Sequence, residues 1–202
     1  MAGIQLALLD SPNGTMLADY SFRAQGLQFS TNRHGFASLT AFVPVRQSEA
    51  FQFYERPGLP HVAINWNGAH VWEGRLEDIT ITEGGFGITA MGYWRGYSDS
   101  VFTSSALGDT TASSIVASLI SNISGLNSFM SGASVLVQDQ NVTLQEVYED
   151  RPHSEILERL ELLGDDQSPV RVWEAGVWED RLLHFRPRSS ASRGWVVDAA
   201  AI

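Results

Sequence analysis

The chain has no cysteine, no lysine and no long apolar run. Without cysteine, a disulfide scaffold, thiol catalysis and every cysteine-built metal site are excluded. Without lysine, all 13 positive charges are arginines, set against 23 acids, for a net charge of −10. No stretch concentrates the arginines. Arg181, Arg186, Arg188 and Arg193 come nearest, so the acidic balance speaks against duplex binding, which needs clustered cations on phosphates. The longest apolar stretches, such as Leu6-Ala7-Leu8-Leu9, run only a few residues, whereas a spanning helix needs about 20. No membrane segment is expected, and the start Met1-Ala2-Gly3-Ile4-Gln5 lacks the basic residues of a signal peptide. What is present is ordinary for a folded protein: 202 residues, 44% hydrophobic and 18% charged. That is enough apolar surface to offset chain entropy in one large domain or two small ones.

The first half reads as β structure. Residues 3–9 form an apolar run that ends at the turn signal Asp10-Ser11-Pro12-Asn13-Gly14. Residues 26–30 and 36–45 read as strands, with Pro44 at a strand end. Residues 47–55 read as a short helix. Asn67-Gly68 predicts a two-residue type I′ hairpin between residues 61–66 and 69–74. Regular pairing would set Ile64 opposite Val71, Ala63 opposite Trp72, His61 opposite Gly74 and His70 opposite Asn65. Val62, Ile64, Trp66, Ala69 and Val71 would then share one face, and His61, Asn65, His70 and Trp72 the other. A second hairpin follows around Glu83-Gly84-Gly85. In it Leu76, Asp78 and Thr80 alternate against Glu77, Ile79 and Ile81.

The second half mixes helices with strands. Residues 110–123 carry Ala112, Ile115, Val116, Leu119, Ile120 and Ile123 at helical spacing, with Asp109 or Thr110 as the cap. Residues 124–134 read as a loop and 135–137 as a short strand. Residues 152–163 are a second helix, with Ile156, Leu157, Leu160 and Leu163 inward and Glu155, Glu158 and Glu161 outward, closed by Gly164. A hairpin is expected over residues 170–186, turning at Ala175-Gly176. Residues 189–193 read as a linker and 194–202 as a last strand. The change of pattern sets a boundary near residue 105. Residues 1–104 hold six arginines and nine acids, and residues 105–202 seven and fourteen.

No catalytic constellation stands out. Glu73, Glu77 and Asp78, and Glu174, Glu179 and Asp180, read as solvated strand faces, and Asp165-Asp166 as a solvated loop. His34, His61, His70, His153 and His184 are scattered, with no HExxH helix. His61 and His70 share a face without pairing, so no metal site is expected. Gly84-Gly85-x-Gly87 runs into a strand, not a helix, so it is no dinucleotide loop. No cofactor is implied. Six tryptophans, five tyrosines and ten phenylalanines suit either core and subunit contacts or a sugar-stacking face.

The succession of pieces is more specific than any one of them. Val71-Trp72-Glu73-Gly74-Arg75-Leu76-Glu77-Asp78 leads to a hairpin, then Ile88-Thr89-Ala90-Met91-Gly92-Tyr93-Trp94 and Ser98-Asp99. After these come Thr111-Ala112-Ser113-Ser114-Ile115-Val116, then Pro152-His153-Ser154-Glu155-Ile156-Leu157-Glu158-Arg159-Leu160, then Val172-Trp173-Glu174 and Leu182-Leu183-His184-Phe185-Arg186-Pro187-Arg188. Over roughly residues 60–190 this order resembles the bacteriophage tail hub proteins, the baseplate hub or tail-associated family. Its members are usually much longer, which leaves two options: a minimal hub, or an N-terminal part of a longer one.

The resemblance implies an α+β, mainly β fold of two small β-barrel-like, tail-tube-like domains with flanking helices, at residues 1–104 and 105–202. It implies a structural, non-enzymatic subunit of the virion tail tip, assembled in the bacterial host cytoplasm. Such a subunit forms a homotrimeric hub ring that closes the distal tail tube. Its partners would be the tail tube or distal tail protein, the tape-measure protein, and tail fibre or tip proteins, with DNA only as cargo passing an acidic lumen. Trp72, Trp94 and Arg95 are the candidate subunit contacts, and Asn13-Gly14, residues 56–60 and residues 124–134 the candidate surface loops. Two other readings stand beside this one. A carbohydrate-binding β module at a virion tip predicts several exposed Trp and Tyr rings on one face. A glycan or peptidoglycan hydrolase predicts two carboxyls across a cleft, one with a raised pKa.

Overall fold

The computed structural model describes residues 3–46, 48–49, 60–104, 110–126, 137–167, 169–178 and 181–188. In chain order the elements are β1 (Ile4–Leu9), β2 (Met16–Asp19), β3 (Gln25–Asn32), β4 (Gly35–Val43), β5 (His61–Trp66), β6 (Ala69–Thr82), β7 (Gly85–Gly92), α1 (Trp94–Asp99), β8 (Val101–Ser104), β9 (Thr110–Thr111), α2 (Ala112–Leu126), β10 (Thr143–Leu144), β11 (Tyr148–Pro152), α3 (His153–Leu163), β12 (Trp173–Val177) and β13 (Leu183–Pro187). Nine strands make one sheet in the order β13-β12-β4-β7-β6-β5-β1-β2, with β3 also on β4. Its pairs are antiparallel except β12 on β4, which meet in parallel at Val177 and Gly35. Strands β9 with β10 and β8 with β11 form two small ladders beside it.

The fold is α+β and mainly β, but the expected barrels are not closed among the described residues. Strands β2 and β3 lie at separate ends of the β3-to-β2 run and have no ladder between them. Only the turn after Asp19 joins them, closed by Arg23 and Ala24 N–H bonds to the Tyr20 carbonyl, both at 2.9 Å. The Trp72 indole N–H reaches the Ser30 carbonyl of β3 at 3.2 Å from inside the curl.

Two apolar cores result. The first gathers Leu6, Leu8, Phe36, Leu39, Val62, Ile64, Trp72, Leu76, Phe86 and Ile88 from the first seven strands. The second gathers α1, α2, α3, β12 and β13 around Tyr97, Leu119, Ile123, Leu157, Leu160 and Phe185. In α2, Ala112, Val116, Leu119 and Ile123 are buried at the expected helical spacing. The Thr111 hydroxyl caps it, accepting the Ser114 N–H at 3.2 Å; the candidate cap Asp109 lies outside the described residues.

Several expectations are corrected. The Asn67-Gly68 turn is present, with φ of 50° and 80°, but β6 does not pair regularly. Ile64 faces Trp72, Ala63 faces Glu73 and His61 faces Arg75, with a register shift between Ile64 and Asn65. Val71 is the bulged residue. A second shift, at Glu77, puts Leu76 opposite Ala90 and Ile79 opposite Ile88. Both therefore face the same core, where plain alternation would have split them. Residues 94–99 form a short helix where no element was expected. Ala175-Gly176 is no turn but the middle of β12, and the connection to β13 crosses 178–182.

Leu163, expected inward on α3, is 39% exposed at the helix end. Other expectations fall wholly or partly outside the described residues. These are the helix at 47–55, of which only Ser48 and Glu49 are described as helical, the loops at 56–60 and 124–134, of which residues 124–126 instead continue α2 to Leu126, the strand at 135–137, Glu179 and Asp180, the linker at 189–193 and the strand at 194–202. Val137 makes an isolated parallel bridge to Phe185. Among the described residues no helix is long and apolar enough to cross a membrane, and no group of three metal-ligating side chains converges.

Candidate functional site

The bulge at Val71 builds the site. In an unbroken strand, residues three apart lie on opposite faces. With Val71 inserted, Val71 and Trp72 both face the first core, while His70 and Glu73 share the other face. His61, Ala63 and Asn65 of β5 lie there too, beside Gln5, Ala7 and Leu9 of β1. Small side chains at Ala7 and Ala63 leave a hollow of about 390 Å³, walled by Gln5, Asn65, His70, Glu73 and Arg181 and bordered by Asn13 and Met16. The amides of Asn65 and Gln5 bond each other across the strands at 3.1 Å.

Glu73 is the centre of the wall. It is 0% exposed, so the solvated-face reading of this acid is overturned. Its Oε1 accepts the Tyr93 hydroxyl at 2.6 Å, the Arg181 Nε–H at 2.8 Å and the Asn13 backbone N–H at 3.2 Å. Its Oε2 accepts Arg181 Nη2 at 2.5 Å and lies 3.2 Å from His70 Nε2. Burial pushes the carboxyl up. The Arg181 and Tyr93 hydrogen bonds, with the charges of Arg181 and His70, outweigh it and hold Glu73 below its ordinary value. Since the Tyr93 proton is given to Glu73, His61 Nδ1 donates to the Tyr93 oxygen, at 2.9 Å. Burial drops the His61 pKa to about 4, which keeps that ring neutral. This arrangement is a clasp. It ties the Asn13 turn, β6, the end of β7 and the β12–β13 connection to one ionised carboxylate, with Arg181 lying 108 residues from Glu73.

A second clasp lies where the β3–β4 turn meets the second core. The His34 ring stacks on Trp94 with centroids 4.4 Å apart and planes 4° apart. Its Nδ1 donates to the Ala175 carbonyl at 2.8 Å, and its Nε2 accepts from Arg33 Nε at 2.7 Å. The Ala175 N–H is taken by Glu161 Oε1. Glycines permit the close backbone approach: a Cβ on Gly35 would sit 1.8 Å from the Val177 carbonyl oxygen, and one on Gly176 2.7 Å from that of His34. Glu161, expected on the outer face of α3, is only 9% exposed. Burial lifts its carboxyl to about 7, against the pull of the Ala175 N–H and Arg33 and with the push of Glu158 and Glu174. Asp165, expected in a solvated loop, is also buried. Burial raises its pKa, but Arg171, Trp173 and Gln167 donate to it and bring it down to about 2.

Of the candidate contact residues, Trp72 is 0% exposed and has no surface to offer a neighbour in this fold. Trp94 is buried against His34 and Tyr97. Arg95 stands half exposed, 3.0 Å from Asp99. Asn13-Gly14 lies at the hollow. Arg181 and Arg186 are engaged by Glu73 and Glu174 and form no basic strip. The sequence reading missed Glu73, Arg181, Glu161 and Asp165. Only Glu161 carried a usable signal, since it follows the inward Leu157 by four residues, one helical turn.

The architecture matches phage tail proteins of known structure. The 43 kDa tail protein of prophage MuSo2 from Shewanella oneidensis superposes with a TM-score of 0.60 at 11% identity, over 96% of this chain and 58% of its own. A tail protein from Neisseria meningitidis MC58 superposes with a TM-score of 0.52 at 8% identity, over 91% of this chain and 50% of its own. This chain thus spans between half and three-fifths of each of these two proteins, and it shares their fold. No protein-family model matches it, and no curated protein does.

Proposed function

We propose that the chain is a structural subunit of a phage or phage-like tail tip, part of a hub ring that closes the distal tail tube and anchors tip or fibre proteins. The observation that carries the reading is the fold shared with the prophage tail protein over 96% of this chain. In this reading each copy supplies its two cores to a homotrimer in the virion, the second core starting at Tyr93 and Trp94 rather than at residue 105. The tail tube or distal tail protein and the tape-measure protein are its neighbours. A net charge of −10 suits a lumen through which DNA passes without sticking.

The surface supports partners. Phe22 is 98% exposed, Leu162 84%, Val172 67% and Val170 63%, and these are apolar positions that neighbouring subunits would cover in this reading. Phe22 sits on a turn closed by the Ser21 N–H on Asp19 and by the Arg23 and Ala24 N–H groups on the Tyr20 carbonyl. The sugar-binding alternative needs grouped exposed rings, yet among the described Trp and Tyr residues Trp66 is half-buried and Trp72, Trp94, Trp173, Trp178, Tyr20, Tyr93, Tyr97 and Tyr148 are buried. The hydrolase alternative needs two carboxyls across a cleft. Glu73 is the single acid among the described residues lining the first hollow, and Arg181 and Tyr93 occupy it; a second hollow of about 400 Å³ holds Glu146 and Glu155, each paired with an arginine, Arg159 and Arg151.

Light scattering with negative-stain imaging tests the proposal. The expected result is rings of three times the 22.2 kDa chain mass, formed alone or on adding the distal tail protein. A monomer under both conditions would overturn it.

A further inference from the structure

Strand β12 meets β4 only at Val177 and Gly35. Two residues earlier, no strand among the described residues lies beside the same edge. There both polar groups of the Ala175 peptide are met by side chains: Glu161 from α3 takes the N–H, and His34 from the β3–β4 turn gives to the carbonyl. His34 belongs to the strands of the first core, while Glu161, Ala175 and Trp94 belong to the second. We propose that Glu161 and His34 form a proton-operated latch between the two cores, closed while Glu161 is protonated and His34 is neutral. The inference is independent of any role in a tail.

The charges facing Glu161 explain why its proton matters. Its Oε2 has Arg33 Nη2 at 3.8 Å, beyond hydrogen-bond length. Arg33 is shared: its Nε is committed to His34, and its Nη2 is nearer Glu158, at 3.5 Å. On its own helix Glu161 has Glu158 as a neighbour, and on β12 it has Glu174, whose charge is engaged by Arg186 of β13 at 3.2 Å. Trp94 of α1 covers His34 with an apolar face. A protonated Glu161 keeps its bond to Ala175 and needs no counter-ion. An ionised one is a buried charge beside two other acids, and the relief open to it is to swing out and release the β12 edge.

His34 sets the other limit. Its Nδ1–H is used on Ala175, so its neutral form accepts from Arg33 at Nε2. A proton on Nε2 would face that guanidinium N–H head on, with Glu158 Oε1, 3.5 Å away, as the counter-charge it would turn to. Burial already holds the His34 pKa below its ordinary value. The latch therefore has a closed window on the acid side of neutrality, open above it through Glu161 and below it through His34.

Amide exchange of the full chain, read by NMR at the Ala175 N–H and corrected for the intrinsic pH effect, tests this. The wild type is expected to lose about tenfold in protection per unit of pH above the Glu161 titration. Glu161→Gln, which keeps an uncharged acceptor, is expected to change less than about twofold over the same range. Equal pH dependence in the two proteins would overturn the latch. Should Glu161→Gln fail to fold, the wild-type titration decides alone: Ala175 protection that is flat from pH 6 to 8 would overturn it equally.

Discussion

Two buried glutamates fasten the two cores, and they do so in opposite charge states. Glu73 has a guanidinium in line with both oxygens and a tyrosine hydroxyl besides. Glu161 has one backbone N–H and a distant, shared arginine. Both are desolvated, yet one carboxyl is held below its ordinary value and the other is lifted to about 7. Burial alone does not set the charge of a buried acid; the count and aim of its donors do.

The comparison breaks hardest at Glu73. Glu73→Ala would strand the Arg181 guanidinium in the protein and leave Tyr93 without its acceptor. The expected loss is about 3–5 kcal/mol in urea unfolding, with Glu73→Gln milder. A loss under about 1 kcal/mol would show that Arg181 finds water instead, and the clasp would be ornamental. Next comes Gly35→Ala, which sets a methyl 1.8 Å from the Val177 carbonyl oxygen at a φ of 115°. Strain of this kind costs about 1–3 kcal/mol, and a melt of the variant should show it together with weakened His34–Ala175 contact.

The pH dependence sharpens the contrast. Glu73 has a depressed folded pKa, so its contribution is complete above the ordinary glutamate value of 4.5 and is lost as pH falls through the folded value. Glu161 has a raised one, so its contribution is complete below 4.5 and is lost as pH rises through about 7. Urea midpoints against pH should therefore fall on both sides of a maximum. Glu73→Gln should flatten the acid limb and Glu161→Gln the neutral one. Either variant flattening the wrong limb would reverse the assignment. The smallest effect is expected at Arg95→Ala. Its pair with Asp99 is exposed, so stability should move by less than about 0.5 kcal/mol. If Arg95 is a subunit contact, the assembled mass will fall while the melt stays put.

Local signals carried much of the fold. Asn67-Gly68 located the hairpin, the spacing from Ala112 to Ile123 located α2, and Gly164 closed α3. What failed was phase. Alternation read through residues 69–82 assumes one residue per step, and two bulges break that count, so Trp72 moved to the core face and Glu73 to the other. Gly176 looked like a turn residue, but its missing side chain serves the approach of the His34 carbonyl, a contact set by a segment more than 140 residues earlier. Arg181 and Glu73 carry no sequence mark of their pairing, because nothing local links positions so far apart.

The two bulges also bear on how such a chain tolerates change. Each is a one-residue slip that the ladder absorbs on the spot, since Ile64 still meets Trp72 and Ala90 still meets Leu76. Loss of Val71 would shorten the chain yet leave every later pair in frame and return His70 and Glu73 to plain alternation across Trp72. An insertion elsewhere in β6 would instead turn the inner row of side chains outward. Lineages that gain or shed slips at such points drift apart letter by letter while their strands stay superposable. A shared architecture at 11% identity accords with that kind of drift.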